Sequence, residues 1–324
     1  MKPLQQNIAI CDIGTQTFRL AIVNLDESIP RVICSEISHV RLGQGLSSTG
    51  VISDASMKRA IDALNGFHDI LSSHNCPFTR AVATHALRCS ANADLFLSLA
   101  SKTGFEVMVI SEEEEAKLAV LGVTSTIPIG QKALVADAGG GSTELTILLD
   151  GKLHCSKSIP IGCVTLTERF LKENDPPSQQ EQQRLTDSID SEIKKTLDPT
   201  EIIPEQVIGV GGSATTMASI WLGLEQYQPE KIRGLKLTKQ EIDSLWNRLS
   251  GLKLISREKL PGLSQKRADI ILAGIAIFKN LIKNLFVPHI TITDGGLLMG
   301  LLIDTMQKEF KIDVKPSHTA GLYI

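Results

Sequence analysis

Apolar and polar positions in this chain fall into two alternating textures. Short apolar or alternating runs at residues 8–11, 18–23, 80–84, 105–110, 133–136, 145–149, 153–159, 207–210 and 290–293 predict strands. Between them lie longer stretches with helical spacing. Met57, Ala60, Ile61, Leu64, Phe67 and Leu71 mark one such helix, capped by Ser53 or Asp54. Others are expected from about Ala91, after Ser111, after Gly162, over 179–197, after Gly211, over 239–249, over 270–281 and after Gly296. Ser111-x-x-Glu114 and Thr238-x-x-Glu241 read as capping boxes. Residues 33–50, polar and glycine-containing, read as a loop around RLGQGL, and residues 124–131, with Pro128 and Gly130, as a hinge. Strands alternating with helices predict an α/β fold.

Two of the strand runs carry the same device. Asp12 laid on Asp137 aligns the flanking residues without a gap, so that Gly14 falls on Gly139, Thr17 on Ser142 and Arg19 on Glu144. Each copy reads as strand, tight turn, strand, and the repetition predicts two similar halves, 1–123 and 124–300, presenting their turns to a shared cleft. Two chance matches to a short pattern would look the same.

The central copy, DAGGGSTEL, is the richer one. Gly139, Gly140 and Gly141 let main chain approach a ligand, and N–H groups exposed in such a turn form an anion-binding concavity. Carboxylates at Asp137 and Glu144 would repel a bound phosphate unless a divalent cation lay between, so both read as metal or water holders; a plain hairpin with a flexible turn is the alternative. GGSATTMA, with Gly211, Gly212 and Ser213 where a strand gives way to a helix, suits an anion at a helix N-terminus and equally suits a structural turn. The turn at Gly162 is a further source of N–H groups. Arg88 follows a strand, a common place for ligand contacts, although lone arginines are more often surface residues. Arg267 has Asp269 beside it as an ion-pair partner. In the run SEEEEA the capping box occupies Glu114 and leaves Glu115 available, while all four acids also suit a helix start through its dipole.

Composition narrows the classes. The 324 residues suffice for two domains, 42% are hydrophobic and 21% charged, and the net charge of -3 argues against a polybasic nucleic-acid binder. An anionic ligand would therefore be held by local geometry and a metal. Six cysteines without a CxxC pair read as reduced thiols of a cytoplasmic protein, and no apolar run reaches membrane-spanning length. No signal-peptide core stands at the N-terminus, and no histidine or cysteine cluster suggests zinc. A symmetric homodimer is the base-rate assembly.

The ordered set DIGTQTFRL, ATHALRCSAN, ISEEEEA, DAGGGSTEL, GVGGSATTMA, RAD and TDGGLLMGLL resembles the exopolyphosphatase and guanosine pentaphosphate phosphohydrolase (Ppx/GppA phosphatase) family over almost the whole chain. The resemblance implies two ribonuclease H-like domains of the actin, sugar kinase and Hsp70 superfamily around a central cleft. Residues 301–324 are expected to return to the first domain. It also implies release of terminal phosphate from polyphosphate or guanosine pentaphosphate (pppGpp) by water attack, assisted by Mg²⁺ or another divalent cation. Glu115 is then the base or water-orienting residue, Asp137 the principal metal holder with Glu144 assisting, and Asp12 a further metal ligand. Asp12, Gly14, Thr15, Thr17, Gly139, Gly140, Gly141, Ser142, Gly211, Gly212 and Ser213 would cradle substrate, with Arg19, Arg88 and Arg267 as planar forks. The chain departs from the family at Gln16, usually Asn, at Glu112, usually Gly, and at Arg233, where His-Gly is usual. The C-terminal HD-like domain of longer relatives is expected to be missing, which bears on long-chain binding and processivity. A kinase of the same fold and a nonenzymatic polyphosphate or alarmone sensor are the rival readings.

Overall fold

The structure, a computed structural model, describes residues 6–25, 30–197, 203–314, 319 and 322–324. The chain divides into two compact units, Met1–Thr126 with Gly295–Ile324, and Ile127–Asp294. Among the described residues no helix is long and apolar enough to cross a membrane.

In the first unit five strands, β1 (Asn7–Ile13), β2 (Phe18–Asn24), β3 (Arg31–Ser38), β4 (Phe78–Ala83) and β5 (Val107–Val109), lie in the order β3-β2-β1-β4-β5. β1 pairs antiparallel with β2 and parallel with β4. The period-2 geometry of a strand sends alternate residues to opposite faces, and here both faces are covered. Ala9, Cys11, Ile13, Phe18, Leu20 and Ile22 pack on Met57, Leu64 and Phe67 of the helix Asp54–Ser73 and on Phe96 of the helix Ala93–Lys102. Ile8, Ile10, Ala21 and Val23 join a separate core with Leu118, Leu298, Leu301 and Leu302. Ser53 caps its helix as expected, its side chain accepting from the Ser56 N–H.

The second unit holds β6 (Lys132–Ala138), β7 (Thr143–Leu149), β8 (Lys152–Ile159), β9 (Gln206–Val210), β10 (Lys236–Thr238) and β11 (His289–Ile292), in the order β10-β11-β9-β6-β7-β8. Its core is built around the apolar helix Ile271–Leu285. The internal repeat is now visible as topology. β6 pairs antiparallel with β7 and parallel with β9, as β1 does with β2 and β4. Even the irregularities coincide, since the register shifts at Ile22/Val23 against β3 and at Ile147/Leu148 against β8, positions that the alignment of Asp12 on Asp137 superposes. A bulge is a local choice of backbone, so its recurrence at one aligned position is hard to produce by chance.

Three expectations need correction. Residues 31–38, read mostly as loop, form the edge strand β3, whose residues are half-buried or exposed; an edge strand with one neighbour has little apolar patterning to display. β10 went unnoticed because it has three residues. The domain boundaries at 123/124 and 300 shift to 126/127 and 294/295. The helix Glu112–Thr126 runs three residues further, and the helix Leu297–Lys308 already belongs to the first unit at its start. Gly122 and Gly300 explain why: a Cβ on Gly122 would lie 2.1 Å from the Gly296 carbonyl oxygen, and one on Gly300 would lie 1.7 Å from that of Leu118.

Candidate active site

The first turn, residues 14–17, closes with the Gly14 N–H donating to the Thr17 carbonyl at 3.0 Å. The second turn, residues 139–142, closes identically, Gly139 N–H to Ser142 carbonyl at 3.0 Å. Each is braced from outside by a loop that follows the third strand of its unit. The N–H groups of Gly43 and Arg41 donate to the carbonyls of Thr15 and Gln16, and those of Cys163 and Val164 to the carbonyls of Gly139 and Gly140. A Cβ at Gly162 would sit 2.3 Å from the Gly140 carbonyl oxygen, which fixes glycine there. Carbonyls drawn outward to these braces leave the N–H groups of Thr15, Gln16, Gly140 and Gly141 without a backbone carbonyl partner among the described residues. That is the polarity an anion requires. It also corrects one expectation: the N–H groups of Cys163 and Val164, after the glycine turn at Gly162, are spent on the hairpin and are not offered to a ligand.

Strand pairing sets the flanking charges. Asp12 faces Arg19 across β1 and β2, and Asp137 faces Glu144 across β6 and β7. Directly opposed residues share a face of the sheet, so the first pair balances itself while the second sets two acids side by side. Glu144 accepts from the hydroxyls of Ser142 at 2.6 Å and Ser158 at 3.0 Å. Burial pushes the Asp12 carboxyl up from 3.8 to about 6, with Arg19 opposing the rise. A carboxyl with a raised folded pKa binds its proton more tightly in the folded chain, so its stabilising contribution is present below pH 4 and is lost as pH climbs through 6. Asp12→Asn should therefore raise the melting temperature at pH 7.5 by several degrees, a gain of about 1 to 3 kcal/mol, and change it little at pH 4. Thermal melts at the two pH values check this, and an equal effect at both would refute it.

Beyond the first turn, β4 leads into a short helix, His85–Cys89, and β5 into the acidic helix. Glu114 folds back on Ser111, both as acceptor and as partner in the capping box, and Glu113 pairs with Lys117 in solvent. Only Glu115 is drawn to Arg88, whose Nη1 donates to its Oε2 at 2.6 Å and to the Ile110 carbonyl at 3.1 Å. Arg88 is thus no ordinary surface arginine: its side chain is 15% exposed, and its Nη2 is buried without a hydrogen-bond partner among the described residues.

In the second unit the glycines at the head of the helix Gly211–Leu222 are dictated by what touches them. Gly211 has a φ of 78°, and a Cβ there would meet Asp137 Oδ1 at 2.3 Å. A Cβ on Gly212 would strike the Arg267 guanidinium, with Nη1 at 2.0 Å. Asp137 and Arg267 are therefore brought against neighbouring residues of one turn. Ser213, expected to bind substrate, is 2% exposed, and its hydroxyl donates to the Ala138 carbonyl at 3.3 Å. Its place is bracing β6. Arg233, the residue at the third departure, forms a fork onto Asp294 with bonds of 2.7 and 2.8 Å. Sequence reasoning missed the bracing roles of Gly43 and Gly162, because a glycine does not announce what approaches it.

A β3-β2-β1-β4-β5 core that recurs as β8-β7-β6-β9-β11, with an anion-type hairpin turn in each copy, defines a two-unit α/β class of protein. Within that class the chain belongs to the Ppx/GppA phosphatase family, whose model matches residues 21–309. It is 28% identical over 316 residues to exopolyphosphatase 2 of Mycobacterium tuberculosis, covering 91% of this chain and 97% of that protein. It is 30% identical to the guanosine-5'-triphosphate,3'-diphosphate pyrophosphatase of Photobacterium profundum over 97% of this chain, and spans 62% of that relative's length. An exopolyphosphatase structure from Cytophaga hutchinsonii superposes with a TM-score of 0.85 at 28% identity, covering 93% of this chain and 98% of its own.

Proposed function

We infer that the protein hydrolyses the terminal phosphoanhydride of inorganic polyphosphate or of guanosine pentaphosphate. One observation carries the reading: of the four acids opening their helix, Glu115 alone is held by Arg88, and that arginine keeps a buried guanidinium nitrogen that bonds to none of the described residues. A base fixed beside an unsatisfied cationic donor suits water attacking a phosphorus whose oxygens the donor grips. Glu115 orients the water and accepts its proton. Arg88 holds Glu115 in place through Nη1 and neutralises phosphate through Nη2. Backbone N–H groups of the first turn bind anionic oxygens beside Arg88; within the second unit, taken by itself, the turn at 139–142 offers the same kind of N–H groups and Arg267, lying on Gly212, is a planar fork. Kinship with proteins named for exopolyphosphatase and guanosine pentaphosphate hydrolysis supports the same chemistry.

A divalent cation fits the second unit better than the first. Among the described residues no group of three or more metal-ligating side chains exists. Asp137 and Glu144 nonetheless supply an oxygen donor set with two like charges opposed, and Mg²⁺ commonly binds through one or two carboxylates plus substrate phosphates. Asp12 has Arg19 to balance it. When bound, the cation would screen phosphate charge. Release of inorganic phosphate, measured with Mg²⁺ against tripolyphosphate, long-chain polyphosphate, pppGpp and ATP, tests the assignment. Release from one or both of the first two classes of anhydride, polyphosphate or pppGpp, is expected. Transfer of labelled phosphate from ATP to an acceptor, or binding without turnover, would overturn it.

A further inference from the structure

The reading above uses the backbone of Gln16 and leaves its side chain without a role. It lies in the first turn and is 5% exposed, and among the described residues neither its Oε1 nor its Nε2 has a hydrogen-bond partner. A buried amide left wholly unsatisfied is costly to fold, so it calls for a bonding partner that the described residues do not supply. Its aligned counterpart is Gly141, which has no side chain at all. The two turns therefore share a backbone and differ in equipment.

Two other orphaned groups stand at the same end of the same sheet. Arg88 Nη2 and Ser90 Oγ are buried without partners among the described residues, and they lie just beyond β4, the strand that runs parallel beside β1. All three side chains can donate. In the second unit the corresponding orphans, Asn280 Oδ1 and Thr291 Oγ1, lie in a helix and within a strand, away from its turn. Surplus donors concentrated at one sheet end match an oxyanion better than they match isolated internal waters.

We propose that Gln16 is a substrate-gripping residue of the first turn, its Nε2 donating to a nonbridging oxygen of the bound phosphate chain while its Oε1 accepts from a water held beside that oxygen. The assignment rests on the phosphoanhydride reading. It gives the departure at position 16 a role, because glutamine reaches one methylene further than asparagine with the same donor and acceptor.

The test is a thermal-shift titration with imidotriphosphate, whose P–N–P links resist hydrolysis, on the whole chain and its Gln16→Leu and Gln16→Asn variants. Leucine keeps the bulk and removes both polar atoms; asparagine retracts the amide. Wild type should bind, leucine should weaken binding by about tenfold or more, and asparagine should fall between. The unliganded leucine variant should melt at or above wild type, since no orphaned atoms remain. Leucine binding within about twofold of wild type overturns the proposal. So does a melting temperature lowered alike in both unliganded variants, the mark of an amide satisfied by structural water. No shift in wild type sinks the phosphate reading and this inference together.

Discussion

Glu115→Gln should reduce phosphate release by about two to four orders of magnitude while leaving phosphate-chain binding largely intact. Glutamine has nearly the shape of glutamate and can still accept from Arg88 Nη1, so the geometry at that bond survives. What disappears is the capacity to take a proton from water and the charge opposite a guanidinium whose side chain is only 15% exposed. The second loss predicts a stability cost of about 1 to 3 kcal/mol, below the figure for a fully buried broken pair because one hydrogen bond remains. Single-turnover phosphate release and thermal melts of the same preparation separate the two effects. Release within tenfold of wild type would move the base away from Glu115, and Glu114 would be the first place to look. Arg88→Lys sharpens the test. A lysine supplies charge but cannot reach Glu115, the Ile110 carbonyl and a ligand at once, so KM should rise even if the fold holds.

Much of this was legible before any coordinates. The gapless match of Asp12 on Asp137 foretold two copies of one hairpin, and the structure returns it in register, turn hydrogen bond and bulge. Ser111-x-x-Glu114 foretold which acid would fold back, and the capping bonds follow it. Local rules succeed there because both partners lie within one turn of helix or one hairpin.

Contacts between residues distant in sequence were not legible. The Arg88 and Glu115 pair joins two elements that follow adjacent parallel strands, and nothing in either segment names the other. The same holds for Arg233 and Asp294, separated by two strands, three α-helices and a 3-10 turn. Gly162 looked like a source of N–H groups for a ligand because a glycine before a helix usually is one. Only the packing shows the hairpin's own carbonyls arriving there first. β3 escaped because an edge strand bearing Ser35 and Glu36 has no buried face to write into the sequence.

Glycines in helices give the last expectation its control. Gly300→Ala should destabilise the chain by about 3 kcal/mol or more, because its Cβ would stand 1.7 Å from the Leu118 carbonyl oxygen and 2.5 Å from the carbonyl carbon. Those atoms are helix backbone and cannot rotate aside, so one of the two helices must move. Leu118 lies one turn beyond Glu115 on the same helix, and a displaced helix carries the base with it. Activity should therefore fall in the fraction that remains folded. Gly66→Ala is the matched contrast, an exposed helical glycine whose added Cβ meets nothing within 4 Å. It should gain about 0.5 to 1 kcal/mol from reduced freedom of the unfolded chain. Chemical denaturation of both variants, with phosphate release on the native fraction, reads the two terms apart. A Gly300→Ala protein as stable and as active as wild type would mean that the approach of the helices Glu112–Thr126 and Leu297–Lys308 can relax at little cost, and that the position of Glu115 does not depend on it.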